Sequence, residues 1–321
     1  LEDGGHTAGQ AMALSAENTA RLPSVYHIIL DEYGREDALQ KIYGFDNSDF
    51  LQRLKERGFY VADKATSNYR ATQLSIPSLM SMSYPFQSDV SLKDIENSKS
   101  LHNGGGPVFE FFQKSGYYTA LMQYRGALCK NNTLDYCLSR SSFIYGELEK
   151  NFIAITPFNS VVDLILFGKD GLAETKYNEL WDIGEFITGI QTEKSLFAHI
   201  HVLMPHGPHR FTKTCEDIRP AQQEKEGKLK AYIENLQCSN MASLELVDTI
   251  LERDPDAIII LQSDHGPRIG VNWTDWRTND AWEESFSILN AWLIPPDLSC
   301  RKELHPELTL VNTFRIVLGC V

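Results

Sequence analysis

Three short segments, far apart in this chain, carry residue types that do chemistry together. Leu30-Asp31-Glu32 ends the apolar run that begins at Tyr26. Ser263-Asp264-His265-Gly266 follows the apolar run Ala257–Leu261. Between them, Asn68-Tyr69-Arg70-Ala71-Thr72-Gln73-Leu74-Ser75-Ile76-Pro77-Ser78 places hydroxyls in a turn-rich stretch. Carboxylates plus an imidazole form a donor set suited to Zn²⁺ or Mn²⁺. A hydroxyl beside such an ion is deprotonated near neutral pH and becomes a nucleophile.

Elements that bring such segments together are legible around them. Tyr26–Leu30, Tyr118–Tyr124, Leu196–Val202, Ala257–Leu261 and Ser287–Ile294 read as strands, and Tyr60-Val61 as the start of another. Helices are expected from Asn47 or Ser48 to Gly58, over Val108–Lys114, and over 221–251 as one long helix or a pair. Leu79–Phe86 reads as a loop or a short helix end, and residues 1–24 as a polar linker before one domain at 25–321. Alternating strands and helices predict an α/β fold, a largely parallel sheet flanked by helices. Ligands bind beyond the carboxyl ends of strands in such sheets. Asp31-Glu32, Asp264-His265 and the loop Met204–His209 all fall there.

The chain has 321 residues and a formal net charge of -13, which argues against a nucleic-acid partner. A small anionic substrate is still admissible, because a local cationic site overrides the global sign. No run reaches the roughly 18 apolar residues of a membrane span; Val161–Phe167 is short and contains Asp163. No signal peptide is visible, and the start at Leu1 is consistent with a mature or excised domain whose anchor lies upstream. The 6 cysteines are either buried thiols of a cytosolic protein or bridges formed in an oxidising compartment. If bridged, proximity favours Cys129–Cys137, Cys215–Cys238 and Cys300–Cys320.

The ordered segments resemble the alkaline phosphatase superfamily, within it the sulfatase-like branch, and most nearly the phosphoethanolamine transferases and lipoteichoic acid synthases. Glu32, Arg35 and Asp37 keep the spacing of that branch's metal-binding Glu and following Arg and Asp. Thr72-Gln73-Leu74-Ser75-Ile76-Pro77 matches its nucleophile segment, His206-Gly207-Pro208 its substrate loop, and Asp264-His265-Gly266 its metal-binding motif. The resemblance runs from about residue 25 to 295. It implies an alkaline-phosphatase-like sandwich and one divalent ion, Zn²⁺ or Mn²⁺, on Glu32, Asp264 and His265, with Asp31 and Thr72 at the same centre. It implies Thr72 as nucleophile and His206 as acid/base or anchor. It also implies an exported, disulfide-bonded domain tethered to a membrane, acting on an anionic phospholipid or phosphorylated glycan. Asn68, Arg70, His206, His209 and Arg268 are the expected substrate contacts.

Three departures refine this. Thr72 is not in the Cys/Ser-x-Pro-x-Arg segment that true sulfatases mature to formylglycine. No Asp-x-x-x-His segment precedes Asp264, and His305 is the only histidine after His265, so one tight metal is expected rather than two. The stretch Pro267–Arg277 lacks the further histidine of the phosphoethanolamine transferases. Arg268, Arg277, Trp273 and Trp276 stand there instead, and Arg suits bidentate phosphate contact.

Overall fold

The computed structural model describes residues 22–86, 98–123, 129, 133–139, 179–218, 227–270 and 278–321. Expectations about residues 1–21, Tyr124, 161–167, 221–226, Trp273, Trp276 and Arg277 lie outside these. The strands in chain order are β1 (Val25–Leu30), β2 (Tyr60–Val61), β3 (Tyr118–Gln123), β4 (Tyr136–Ser139), β5 (Leu196–Val202), β6 (Ile258–Gln262) and β7 (Asn290–Leu293). They form one sheet ordered β2-β7-β6-β1-β5-β3-β4. β1 lies parallel between β5 and β6, and β3 and β4 continue parallel, whereas β7 is antiparallel to both β6 and β2. The expected strand Ser287–Ile294 is shorter, because Ser287 and Ile288 leave the ladder to bridge Thr66 and Gly34.

Helices cover both faces: α1 (Glu36–Tyr43), α2 (Ser48–Glu56), α3 (Thr72–Ser81), α4 (Pro107–Lys114), α5 (Glu179–Gly189), α6 (Lys228–Arg253), α7 (Asn279–Phe286) and α8 (Thr313–Val317). One core gathers Tyr26, Ile28 and Leu30 of β1 with Leu39, Leu54, Ile183, Tyr232 and Val247 from α1, α2, α5 and α6. The other gathers Val25 and Ile29 with Ile76, Phe109, Phe112 and Phe314 from α3, α4 and α8. Alternate residues of each strand thus face opposite cores. The central strands are buried along their whole length, which is why they read as unbroken apolar runs.

Two local outcomes differ from the sequence expectation. The stretch beginning at Thr72 is helical through Ser81, despite Pro77 within it. The proline removes the amide that would bond Gln73 O, and Ser98 Oγ donates to that carbonyl instead, at 3.4 Å. Residues 22–24, placed in the linker, are tied to the sheet: Leu196 N donates to Ser24 Oγ (3.1 Å), Ile258 N to Ser24 O (2.9 Å) and Tyr117 OH to Pro23 O (3.0 Å). All six cysteines are bridged in the three sequence-local pairs, Cys129–Cys137, Cys215–Cys238 and Cys300–Cys320.

Candidate active site

Strand register delivers the site. His27 pairs with His199 across β1 and β5, Ile29 with His201, and Ile29 with Gln262 of β6. Counting on in steps of two, Asp31 and Asp264 continue the face toward α3, beside His201. Thr72 opens α3 at the same edge. Its Oγ1 donates to Asp264 Oδ2 at 2.6 Å and lies 3.3 Å from His265 Nε2. The His265 ring is oriented by its other nitrogen, which donates to Gly266 O at 3.0 Å, so Nε2 is left to face Thr72. Asp264 is held by Ser67 Oγ on its carbonyl (2.6 Å), and Ser263 Oγ accepts from Tyr33 N (2.9 Å) and donates to His265 O (2.7 Å). At Gly266 a Cβ would sit 1.9 Å from Glu284 O, so only glycine permits this approach.

Single ligand atoms of Asp31, His201 and Asp264 lie within 4.8 Å of one another, and all three residues are buried. His201 Nε2 stands 3.7 Å from Asp31 Oδ2, and His265 Nε2 is 3.6 Å from Asp31 Oδ1 and 3.4 Å from Asp264 Oδ2. The two carboxylates behave oppositely. Burial and the charge of Asp31 push Asp264 up. Burial also pushes Asp31 up, but the fields of the facing histidines His206, His265 and His201 outweigh it and hold Asp31 below the usual range. Buried Asp31 Oδ1 has no hydrogen-bond partner. Adjacent buried carboxylates with an open oxygen and two facing imidazoles fit a divalent cation, which would offset their desolvation cost.

Glu32 departs from this cluster. Its φ of 63° turns the chain through the left-handed region, uncommon for a residue other than glycine. Its Oε1 accepts from Arg268 Nε at 2.9 Å and Nη2 at 2.6 Å, and lies 3.6 Å from His206 Nε2. Tyr232 OH holds its carbonyl at 2.9 Å. His209 is buried, both ring nitrogens lack partners, and burial lowers its pKa to about 4. Arg70 O receives Arg268 Nη1 at 3.4 Å. Asn68 is spent structurally, accepting from Val311 N (2.8 Å) and donating to Tyr84 OH (3.3 Å). Arg35 forms a paired ion bridge with Asp37 and donates to Ala65 O.

A family model for sulfatases matches residues 23–288. The chain belongs to the sulfatase family. Members of this family are enzymes acting on phosphate or sulfate esters. The sandwich superposes on the C-terminal periplasmic domain of phosphoethanolamine transferase EptC from Campylobacter jejuni at a TM-score of 0.56 and 16% identity, covering 93% of this chain and 89% of that one. It superposes on the Zn complex of the periplasmic domain of EcEptC from Escherichia coli at 0.57 and 11%, covering 92% and 81%. A protein from the glycosaminoglycan-metabolising locus of Bacteroides thetaiotaomicron gives 0.61 and 16%, covering 93% and 72%. At such identities the likeness is one of fold. No curated protein matches the sequence.

His201 is the cluster residue that sequence reading passed over in favour of His206 and His209, in the loop after the strand. Only the register with Ile29 brings it beside Asp31, and register is not written in one strand alone. Asp31, held in reserve behind Glu32, is the carboxylate that joins the three-residue cluster.

Proposed function

We propose that this domain is a metal-dependent phosphotransferase or phosphodiesterase whose nucleophile is Thr72. The observation that carries the reading is Thr72 Oγ1, 2.6 Å from Asp264 Oδ2, at the mouth of a buried carboxylate–imidazole cluster. A divalent ion, Zn²⁺ or Mn²⁺, bound by Asp31, Asp264, His265 and His201, with Glu32 adjoining, would lower the pKa of the hydroxyl and neutralise phosphoryl charge. Thr72 gives its proton to Asp264 Oδ2 and its oxygen bonds to phosphorus. The bond from phosphorus to the leaving oxygen breaks, and His206 protonates that oxygen. An acceptor hydroxyl then gives its proton to His206 and displaces Thr72, which recovers its proton from Asp264 Oδ2. Arg268 and the amides of the first turn of α3 hold the non-bridging oxygens, as a helix N-terminus does for anions. Arg70 and His209 border the substrate.

The donor is a phospholipid head group and the acceptor a glycan or lipid of the cell envelope. Three disulfides support an extracytoplasmic setting, the periplasm or the outer face of the inner membrane, with the membrane reached through an anchor upstream. Among the described residues no helix is long and apolar enough to cross a membrane. Hydrolysis of soluble phosphate or sulfate esters is the second reading, supported by the family match and by the B. thetaiotaomicron likeness. The products separate them: a head-group phosphate recovered on an acceptor after incubation with a membrane lipid extract supports the transferase, and free phosphate or sulfate released from soluble esters, with no acceptor modified, rejects it. A phosphate-ester adduct on Thr72, read by mass spectrometry of its peptide, tests the nucleophile in either case.

A further inference from the structure

Arg268 can hold an anion only if its backbone is held, and it sits in a short segment between β6 and α7. The structure shows what holds it. Glu284 of α7 is fully buried. Its Oε1 accepts from Ile269 N at 3.0 Å and Gly270 N at 2.6 Å, the two amides that follow Arg268, and from the hydroxyl of Tyr43 in α1. The other end of the segment is held by the same turn of α7. Gly266 N donates to Ser285 O at 2.8 Å, and Gly266 packs on Glu284 O too closely for any side chain. Gly270 is nearly as confined: a Cβ there would lie 3.0 Å from the Tyr43 ring and 3.2 Å from Glu284 Oε1. The clamped stretch is therefore 266–270, with Asp264-His265 immediately before it and Arg268 in its middle.

We propose that Glu284 is a positioning residue that sets Arg268 against the substrate anion. A buried carboxylate accepting two backbone N–H bonds forms strong, charge-assisted bonds, and their loss leaves two amides to find other partners. Those bonds hold the Arg268 backbone so that its guanidinium reaches Glu32 Oε1 by two nitrogens rather than extending into solvent. Glu284 touches no reacting atom and acts through Arg268. Asp264 and His265 are anchored separately by Ser67 and Ser263, so removing Glu284 affects anion binding more than metal retention. The inference rests on the reading of Arg268 as an anion contact.

The test is a double-mutant cycle read with inorganic phosphate as probe, combined with amide hydrogen exchange. Arg268→Ala should weaken phosphate binding about tenfold, the scale of one lost charge-assisted contact. Glu284→Ala should weaken it by a similar factor, and the double variant should be no weaker than Arg268→Ala alone. Exchange at Ile269 and Gly270 should accelerate in Glu284→Ala while the β6 amides stay protected. If Glu284→Ala does not fold, Glu284→Gln replaces it. The amide oxygen still accepts, without the charge, so an intermediate loss is expected. Additive losses in the double variant, or unchanged affinity in folded Glu284→Ala, would overturn the proposal. Unchanged affinity in Arg268→Ala would overturn the anion role on which it rests. Fast exchange at Ile269 and Gly270 in the unmodified protein would overturn the clamp alone.

Discussion

β1 and β5 each bury histidines on the face toward α3, α4 and α8, yet the two levels of that face behave differently. In mid-strand, His27 and His199 share a hydrogen bond between their Nδ1 atoms at 2.8 Å and stack with centroids 4.9 Å apart. At the carboxyl end, His201 stands beside Asp31. Burial, reinforced by neighbouring histidines, lowers the pKa of His27 to about 3 and that of His199 well below its ordinary value. That pair is therefore neutral, one ring donating and the other accepting. Residue type and burial are the same at the strand end, where carboxylates face His201 and the cluster has the donor set of a cation site. Position relative to charge, rather than histidine content, separates structure from chemistry here.

The largest effect that bears on this contrast is at the chemical end. Thr72→Ala should reduce turnover by several orders of magnitude, on the order of 10³ or more, while thermal stability and metal content hold. Thr72→Ser should keep part of the activity, because the oxygen survives. Turnover and melting temperature measured on the same preparations decide the matter. Full specific activity in Thr72→Ala would end the covalent mechanism and make Ser75 the next residue to test.

Next in size is metal retention. Asp264→Ala should lose most of the bound metal, and His201→Ala should weaken metal binding by about 10–100-fold, whereas His199→Ala should leave metal binding nearly intact and lower stability. Elemental analysis after dialysis reads all three. Equal metal loss from His199→Ala and His201→Ala would erase the distinction between the two levels of the face.

How much of this was legible in sequence follows the same line. Asp264-His265-Gly266 and the Thr72 segment stand out because their chemistry is local, and unbroken apolar runs mark the strands that carry them. The three disulfides follow from proximity. His201 was not legible as a site residue, because its neighbour Asp31 is supplied by strand register. Glu284 was not, because it acts on residues 14 and 15 positions earlier through their backbone amides. The helical state of Thr72–Ser81 was hidden by Pro77, whose missing hydrogen bond is replaced by Ser98.

The third effect is acid sensitivity at mid-strand. His27 has a folded pKa below its ordinary 6.5, so the folded state binds the proton less readily than the unfolded one. The stability it contributes is complete above about pH 6.5 and is lost as pH falls from there toward 3. Between pH 6.5 and 4 the loss from His27 is on the order of 3 kcal/mol. A variant carrying His27→Leu and His199→Leu should show a flatter acid limb in denaturant titrations at stepped pH. An acid limb as steep as that of the unmodified protein would mean that the pair is not neutral when folded.

The smallest effect concerns what keeps the mid-strand pair dry. Phe314 of α8 is fully buried and meets His27 edge-on, with centroids 4.9 Å apart at 73°, and Phe197 at 5.7 Å and 84°. Phe314→Leu keeps the site apolar but removes both ring contacts and part of the packed volume. Aromatic pairs contribute about 0.5–1.5 kcal/mol beyond their area, and a partly filled core position costs a comparable amount. The expected loss is about 1–2 kcal/mol at neutral pH, with metal binding unchanged because α8 supplies none of the cluster residues. Where water gains access to the His27 ring, its pKa rises toward the ordinary value and the acid limb becomes shallower. Chemical denaturation at pH 7 and at pH 5 separates the two contributions. A loss of bound metal in Phe314→Leu would show that the two levels of the face are mechanically coupled.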